Sequence, residues 1–283
     1  MKNTYKSFII AIFITFCCPH ILFAKQIPSL ANQQISHYVV EDYNAIPGTQ
    51  ELDLFGIETR RTRTSSGVLS PDASKAVYSE VYYYPQNMQT SSRLMYFDTG
   101  YSQNNPNNPQ YNFSSTDTDR IINPKSKLNK SVLIMEVGMD TYDYHVFRTL
   151  TLVDWSSNGR KLLIKEKAGE HYGGIWDTHL WVYDFDTKKS IKIDGIRKAI
   201  TYYWYTRHNL SLNSYRWDIT PLGWDFKYPD SIIVNAYGYN YDGKVFLGCW
   251  SIDSLGRRSK LLSLSNEHWR VGKYGKILKS DQP

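Results

Sequence analysis

Leu69-Ser70-Pro71-Asp72-Ala73-Ser74-Lys75-Ala76-Val77-Tyr78 and Trp155-Ser156-Ser157-Asn158-Gly159-Arg160-Lys161-Leu162-Leu163-Ile164 share one pattern. Each runs from an apolar residue through a polar turn and a lysine into an apolar strand. The likeness continues beyond both segments. Met95 lies 17 residues after Tyr78, and Trp181 lies 17 after Ile164. Asp98 and Asp184 each follow three residues later. The same register points to a third copy, Trp224-Asp225-Phe226-Lys227-Tyr228-Pro229-Asp230-Ser231-Ile232-Ile233, with Trp250 and Asp253 at the matching offsets. The copies therefore span 69–98, 155–184 and 224–253.

Each copy reads as strand, turn, strand, hairpin, strand. Ser70-Pro71-Asp72, Ser156 to Gly159 and Tyr228-Pro229-Asp230 carry turn chemistry. Ala76-Val77-Tyr78, Leu162-Leu163-Ile164 and Ile232-Ile233-Val234 are rich in strand formers. Tyr84 to Asn87, Gly169 to Gly174 and Tyr241-Asp242-Gly243 then supply the hairpins, the last with a strong Asp-Gly signal. The strands that return are Arg93 to Phe97, His179 to Tyr183 and Val245 to Ile252. Asp98, Asp184 and Asp253 are expected to open the next turn by accepting from following backbone amides.

The phrases Leu69-Ser70-Pro71-Asp72-Ala73-Ser74-Lys75 and Trp155-Ser156-Ser157-Asn158-Gly159-Arg160-Lys161 resemble the repeats of TolB-type β-propellers. The resemblance covers the three copies. It implies an all-β chain built as a propeller of irregular four-stranded blades, about 4–6 in number at about 40–45 residues each. Closure of the ring would remove exposed strand edges. The spacing of 86 between the first two copies leads us to expect a degenerate blade between them, from Ser131 to Val137 and His145 to Val153. The spacing of 69 between the second and third implies one blade plus an insertion.

Residues 1–24 read as an export signal. Lys2 and Lys6 precede an apolar run from Phe8 to Cys18 broken only by Thr15, and Ala24 marks the expected cut. Pro19 and His20 interrupt the run, which falls short of the roughly 20 residues a spanning helix needs. No stable membrane span is expected after cleavage, and the mature product is expected in the periplasm or outside the cell. Residues 25–283 then form a single domain with insertions near 99–130 and 196–220. Loss of two lysines and no acid takes the formal net charge from +6 to +4, too little to argue for nucleic acid. Only Cys249 remains of three cysteines, and its apolar surroundings mark it as a buried thiol.

Insertion 99–130 is rich in Asn, Pro and Ser. Segment Ile196 to Asn209 is the best helix candidate, and all eight tryptophans lie from Trp155 onward. Tyr202, Tyr203, Trp204, Tyr205, Arg207 and Trp217 are the candidate binding residues, because aromatic platforms beside arginine suit sugars and protein partners. No Gly-x-Ser-x-Gly, His-Glu-x-x-His or Cys-x-x-Cys string occurs. No catalytic residue, metal site or cofactor is assigned. Glu170, His171, Asp177 and His179 match no ligand spacing, and Asp117 with Asp119 lack the rest of a calcium loop. The expected function is an exported, non-catalytic binding or scaffolding module of the bacterial envelope, with a protein or an envelope glycan as partner. The alternative is a carbohydrate- or peptide-active enzyme with an acidic central channel. Asp154 is its candidate acid.

Overall fold

The computed structural model describes residues 62–65, 67–100, 121–122, 131–138, 144–170, 176–225, 227–240, 243–265, 271–273 and 276–278. The chain is all-β with a single longer helix among these residues. The strands are β1 (Thr62–Thr64), β2 (Gly67–Leu69), β3 (Lys75–Tyr84), β4 (Gln89–Asp98), β5 (Ile121–Ile122), β6 (Val132–Val137), β7 (Val146–Trp155), β8 (Lys161–Glu170), β9 (Trp176–Asp184) and β10 (Lys189–Lys192). Helix α1 (Gly195–His208) and a 3-10 turn (Leu212–Ser214) come next. Then follow β11 (Trp217–Asp225), β12 (Ser231–Asn240), β13 (Gly243–Asp253), β14 (Ser259–Ser263), β15 (Val271–Lys273) and β16 (Lys276–Leu278).

These strands make three antiparallel four-stranded units: β2-β3-β4-β6, β7-β8-β9-β10 and β11-β12-β13-β14. A lone parallel bridge, Thr90 to Phe147, joins the first two units into one ten-stranded sheet that includes β1 and β5. The third unit forms a six-stranded sheet with β15 and β16.

The expected degenerate blade is absent from this arrangement. Residues 132–137 are β6, the fourth strand of the first unit, and 146–155 are β7, the first strand of the second. Both segments are apolar enough for strands, but each completes a neighbour rather than pairing with the other.

The turns of the first two copies are built alike. Ser70 N–H donates to Lys75 O at 2.8 Å, and Ser156 N–H to Lys161 O at 2.9 Å. Lys75 N–H donates to Ser70 Oγ, and Lys161 N–H to Ser156 Oγ. Ala73 and Gly159 hold the matching left-handed position at φ 59° and 69°. The third turn is one residue longer. Leu69 pairs with Ala76 and Trp155 with Leu162, whereas Trp224 pairs with Ile232. So Tyr78–Met95 and Ile164–Trp181 are cross-strand partners as the spacing predicts, but Trp250 pairs with Val234, not Ile233. A shorter second hairpin restores the aspartate: Asp98, Asp184 and Asp253 each face the first residue of the middle strand. Asp184 Oδ1 accepts from Asp186 and Thr187 N–H, and Asp253 Oδ1 from Leu255 and Arg257 N–H, as expected. No such bond is seen at Asp98 among the described residues.

Strand alternation turns this repeat into a stack. Leu69, Ala76, Tyr78 and Phe97 lie in one buried layer on the back of the first unit. Their counterparts Trp155, Leu162, Ile164 and Tyr183 pack against Val68, Val77 and Leu94 of the first unit. The third set, Trp224, Ile232, Val234 and Ile252, packs against Leu163, Leu180 and Val182 of the second. Leu222, Ile233 and Cys249 form the last layer on the far face of the third unit. Each unit thus presents the same face backward and the other forward. Bulges recur as well, between Leu152 and Asp154 in β7 and between Pro221 and Gly223 in β11, both just before the tryptophan. Cys249 is fully buried, and desolvation pushes its thiol up to about 12. No helix among the described residues is long and apolar enough to cross a membrane.

Candidate functional site

Helix α1 fills the connection between the second and third units, where the spacing calls for an insertion. Ile196 and Ile200 are buried, and Tyr203 and Trp204 pack against the same layer. Tyr203 and Trp204 lie three and four residues after Ile200, itself four after Ile196, which makes one apolar stripe. Trp204 Nε1 donates to Leu247 O at 3.0 Å, and Tyr203 meets the Trp250 ring edge-on at 5.4 Å. Asn209 closes the helix in the left-handed region at φ 52°, and Arg207 and His208 sit in its last turn, where a cation suits the helix dipole.

The other face of α1 looks outward. Tyr202 and Tyr205 are 71% and 60% exposed. They line an open cleft of about 550 Å³ together with Lys198 and Thr201, bordered by Asn213 of the 3-10 turn and Trp217 at the start of β11. Arg197 forms its fixed wall. Its guanidinium lies 4.5 Å above the Trp217 ring and donates to Asp218 Oδ1 at 2.8 Å and to Asp177 Oδ1 at 3.0 Å. Asp218 is buried and also accepts from Thr178 N–H at 3.1 Å and Thr178 Oγ1 at 2.7 Å. A buried carboxylate so saturated is a structural anchor that ties α1, β9 and β11 together.

The six residues singled out by sequence divide three ways. Tyr202, Tyr205 and Trp217 line the cleft. Tyr203 and Trp204 belong to the core instead. Arg207 is exposed but does not line the cleft. Sequence reasoning passed over Arg197, Lys198 and Thr201. The helical spacing from Arg197 to Thr201 and from Lys198 to Tyr202 is the signal that finds them.

The acids considered earlier are placed elsewhere. Asp154 is fully buried, and its Oδ2 accepts from Trp224 N–H at 3.2 Å, which links the second unit to the third. No cluster of three metal-binding side chains occurs among the described residues; His171, Asp117 and Asp119 lie outside them. His179 stands opposite Glu166 in the β8–β9 ladder. Burial depresses its pKa below the ordinary 6.5, helped by Lys192 and Arg197 and opposed by Glu166 and Asp177. The unfolded chain therefore binds this proton more readily, so stability is lost as pH falls from about 6.5 toward the folded value. A urea series at pH 7.5 and 5.5 should show a smaller acid-side loss for His179→Gln than for the parent chain. An equal loss would remove His179 as the cause.

Compared with known proteins, the chain matches no family model, no curated protein and no solved structure.

Proposed function

We propose that this chain is an exported propeller-type binding module of the bacterial envelope, with the outer face of α1 as its contact surface and a protein or envelope glycan as its partner. The observation that carries the reading is the pair of exposed tyrosines over a cleft whose wall is fixed. Tyrosine offers a large amphipathic contact at a low cost in side-chain entropy. The three like-facing units give the scaffold, and they suit the propeller that the repeat phrases resemble. Binding is favoured over hydrolysis because both carboxylates beside the cleft, Asp177 and Asp218, are engaged by Arg197.

The test is retention of the purified protein on isolated envelope fractions, glycan and protein separately. Replacing both Tyr202 and Tyr205 by alanine should weaken retention by about tenfold or more, or about 1.4 kcal/mol. Both side chains are exposed, so the fold should persist, as circular dichroism would confirm. Undiminished retention would sink the reading.

A further inference from the structure

We infer that Asn158 is a modification site of this chain: its side-chain amide is lost through Gly159 when the turn between β7 and β8 opens, and the closed turn accepts the aspartyl product. Sequence chemistry, the geometry of the turn and the repeat each carry part of the inference.

Asn158-Gly159 is the sole Asn-Gly pair in the sequence. It lies in the turn, where Asn158 is exposed. Glycine has no Cβ to obstruct attack by its own nitrogen. On losing its proton, the Gly159 nitrogen bonds to Asn158 Cγ, the Cγ–Nδ2 bond breaks, and ammonia leaves. Water then opens the five-membered imide. Opening at Cγ gives aspartate, and opening at the main-chain carbonyl gives isoaspartate.

The closed turn engages both reacting groups elsewhere. Gly159 N–H donates to Ser156 O at 2.9 Å, which occupies the nucleophile. Asn158 Oδ1 accepts from Ser156 Oγ at 2.8 Å and from Arg160 N–H at 3.0 Å, which fixes the carboxamide in an Asx turn. Ser156 Oγ also accepts from Lys161 N–H at 2.8 Å, so one hydroxyl holds the turn and the side chain together. The reaction therefore needs local opening, and its rate follows the open population of the turn.

The first repeat shows the product in place. Asp72 stands where the second turn has Asn158. Its Oδ1 accepts from Ser70 Oγ at 2.6 Å and from Ser74 N–H at 3.1 Å, the same two donors by position. Lys75 N–H reaches Ser70 Oγ as Lys161 N–H reaches Ser156 Oγ. Partial burial raises the Asp72 pKa, but hydrogen bonds from Ser70 and Ser74 and the charge of Lys75 bring it below the ordinary 3.8. Aspartate at 158 meets the same donors, with Lys161 where the first turn has Lys75. Isoaspartate instead adds a main-chain methylene inside a turn closed by Ser156 N–H to Lys161 O at 2.9 Å, and it does not fit. The aspartyl form thus adds one negative charge to an exposed turn and keeps the fold.

Peptide mapping by mass spectrometry tests this on the full purified chain held at pH 8 and 37 °C, with a synthetic peptide of residues 154–162 as the open reference. The peptide should convert at Asn158 about tenfold or more faster than the folded chain. Ser156→Ala should speed conversion in the folded chain several-fold. Ser70→Ala makes the same change in the first turn, so it controls for lost stability and should leave the rate at Asn158 unchanged. Asn158→Asp should melt within about 2 °C of the parent. Equal rates in chain and peptide, no conversion in either, equal acceleration by the two serine variants, or a large melting loss in Asn158→Asp would each overturn the inference.

Discussion

Glu166→Ala is expected to cost about 3 kcal/mol, the low end of the range for breaking a buried ion pair, because the Arg148 left behind is 34% exposed and can turn to water. Glu166 lies in β8, the second strand of the middle unit, and its side chain is fully buried. Oε1 accepts from Arg148 Nε at 2.7 Å and sits 2.6 Å from its NH2, while Oε2 accepts from Trp181 Nε1 at 2.7 Å. Alanine removes three acceptor contacts from one buried position and leaves a cavity. Glu166→Gln is no remedy, because its amide turns a donor toward either the guanidinium or the indole N–H. The double variant Glu166→Leu, Arg148→Met removes both charges and keeps apolar volume, so it should recover most of the loss. A chain of this size should show the single change as a melting shift of roughly 10 °C. If the single variant melts with the parent, the network adds nothing to stability.

That residue also shows where sequence reading stops. The strands of the repeat are legible because turn residues and strand formers alternate at fixed spacing, and the spacing found Tyr78–Met95 and Ile164–Trp181 as true partners. The third copy misleads by one position, since a longer turn and a shorter hairpin cancel in length. Residues 132–137 and 146–155 look like one unit because both are apolar strands joined by a short connection. Only packing decides that β6 closes one unit and β7 opens the next. At the site, the run from Tyr202 to Tyr205 announces an aromatic surface. Which rings face outward follows from helical period: Ile196, Ile200, Tyr203 and Trp204 take the inner stripe, and Tyr202 and Tyr205 are left outside. Asp218 carries no local signal. Its partner Thr178 lies 40 residues earlier, and its role exists only once α1, β9 and β11 meet.

The second large effect is expected at the start of α1, where two principles give opposite signs. Gly195 is the first helical residue. Helix propensity alone favours Gly195→Ala by up to about 1 kcal/mol. A Cβ built at this position would lie 2.1 Å from the carbonyl oxygen of Gly256 and 3.2 Å from its carbon. Both atoms are backbone, in the turn that joins β13 to β14, so no side-chain rotation relieves the overlap. Overpacking of this kind costs about 1–3 kcal/mol and more where the backbone must move. The clash outweighs the propensity gain, and we expect a net loss of about 2 kcal/mol or more by denaturant unfolding. The displacement has a functional side too. Arg197 and Lys198 follow within three residues, so a shifted helix start pulls the guanidinium from Asp218 and moves the lysine away from its place in the cleft. The variant should therefore lose stability and envelope retention together, although the changed residue makes no contribution to the cleft lining. A raised unfolding midpoint would mean that α1 does not dock on the Gly256 turn, and the cleft would then lack its fixed wall.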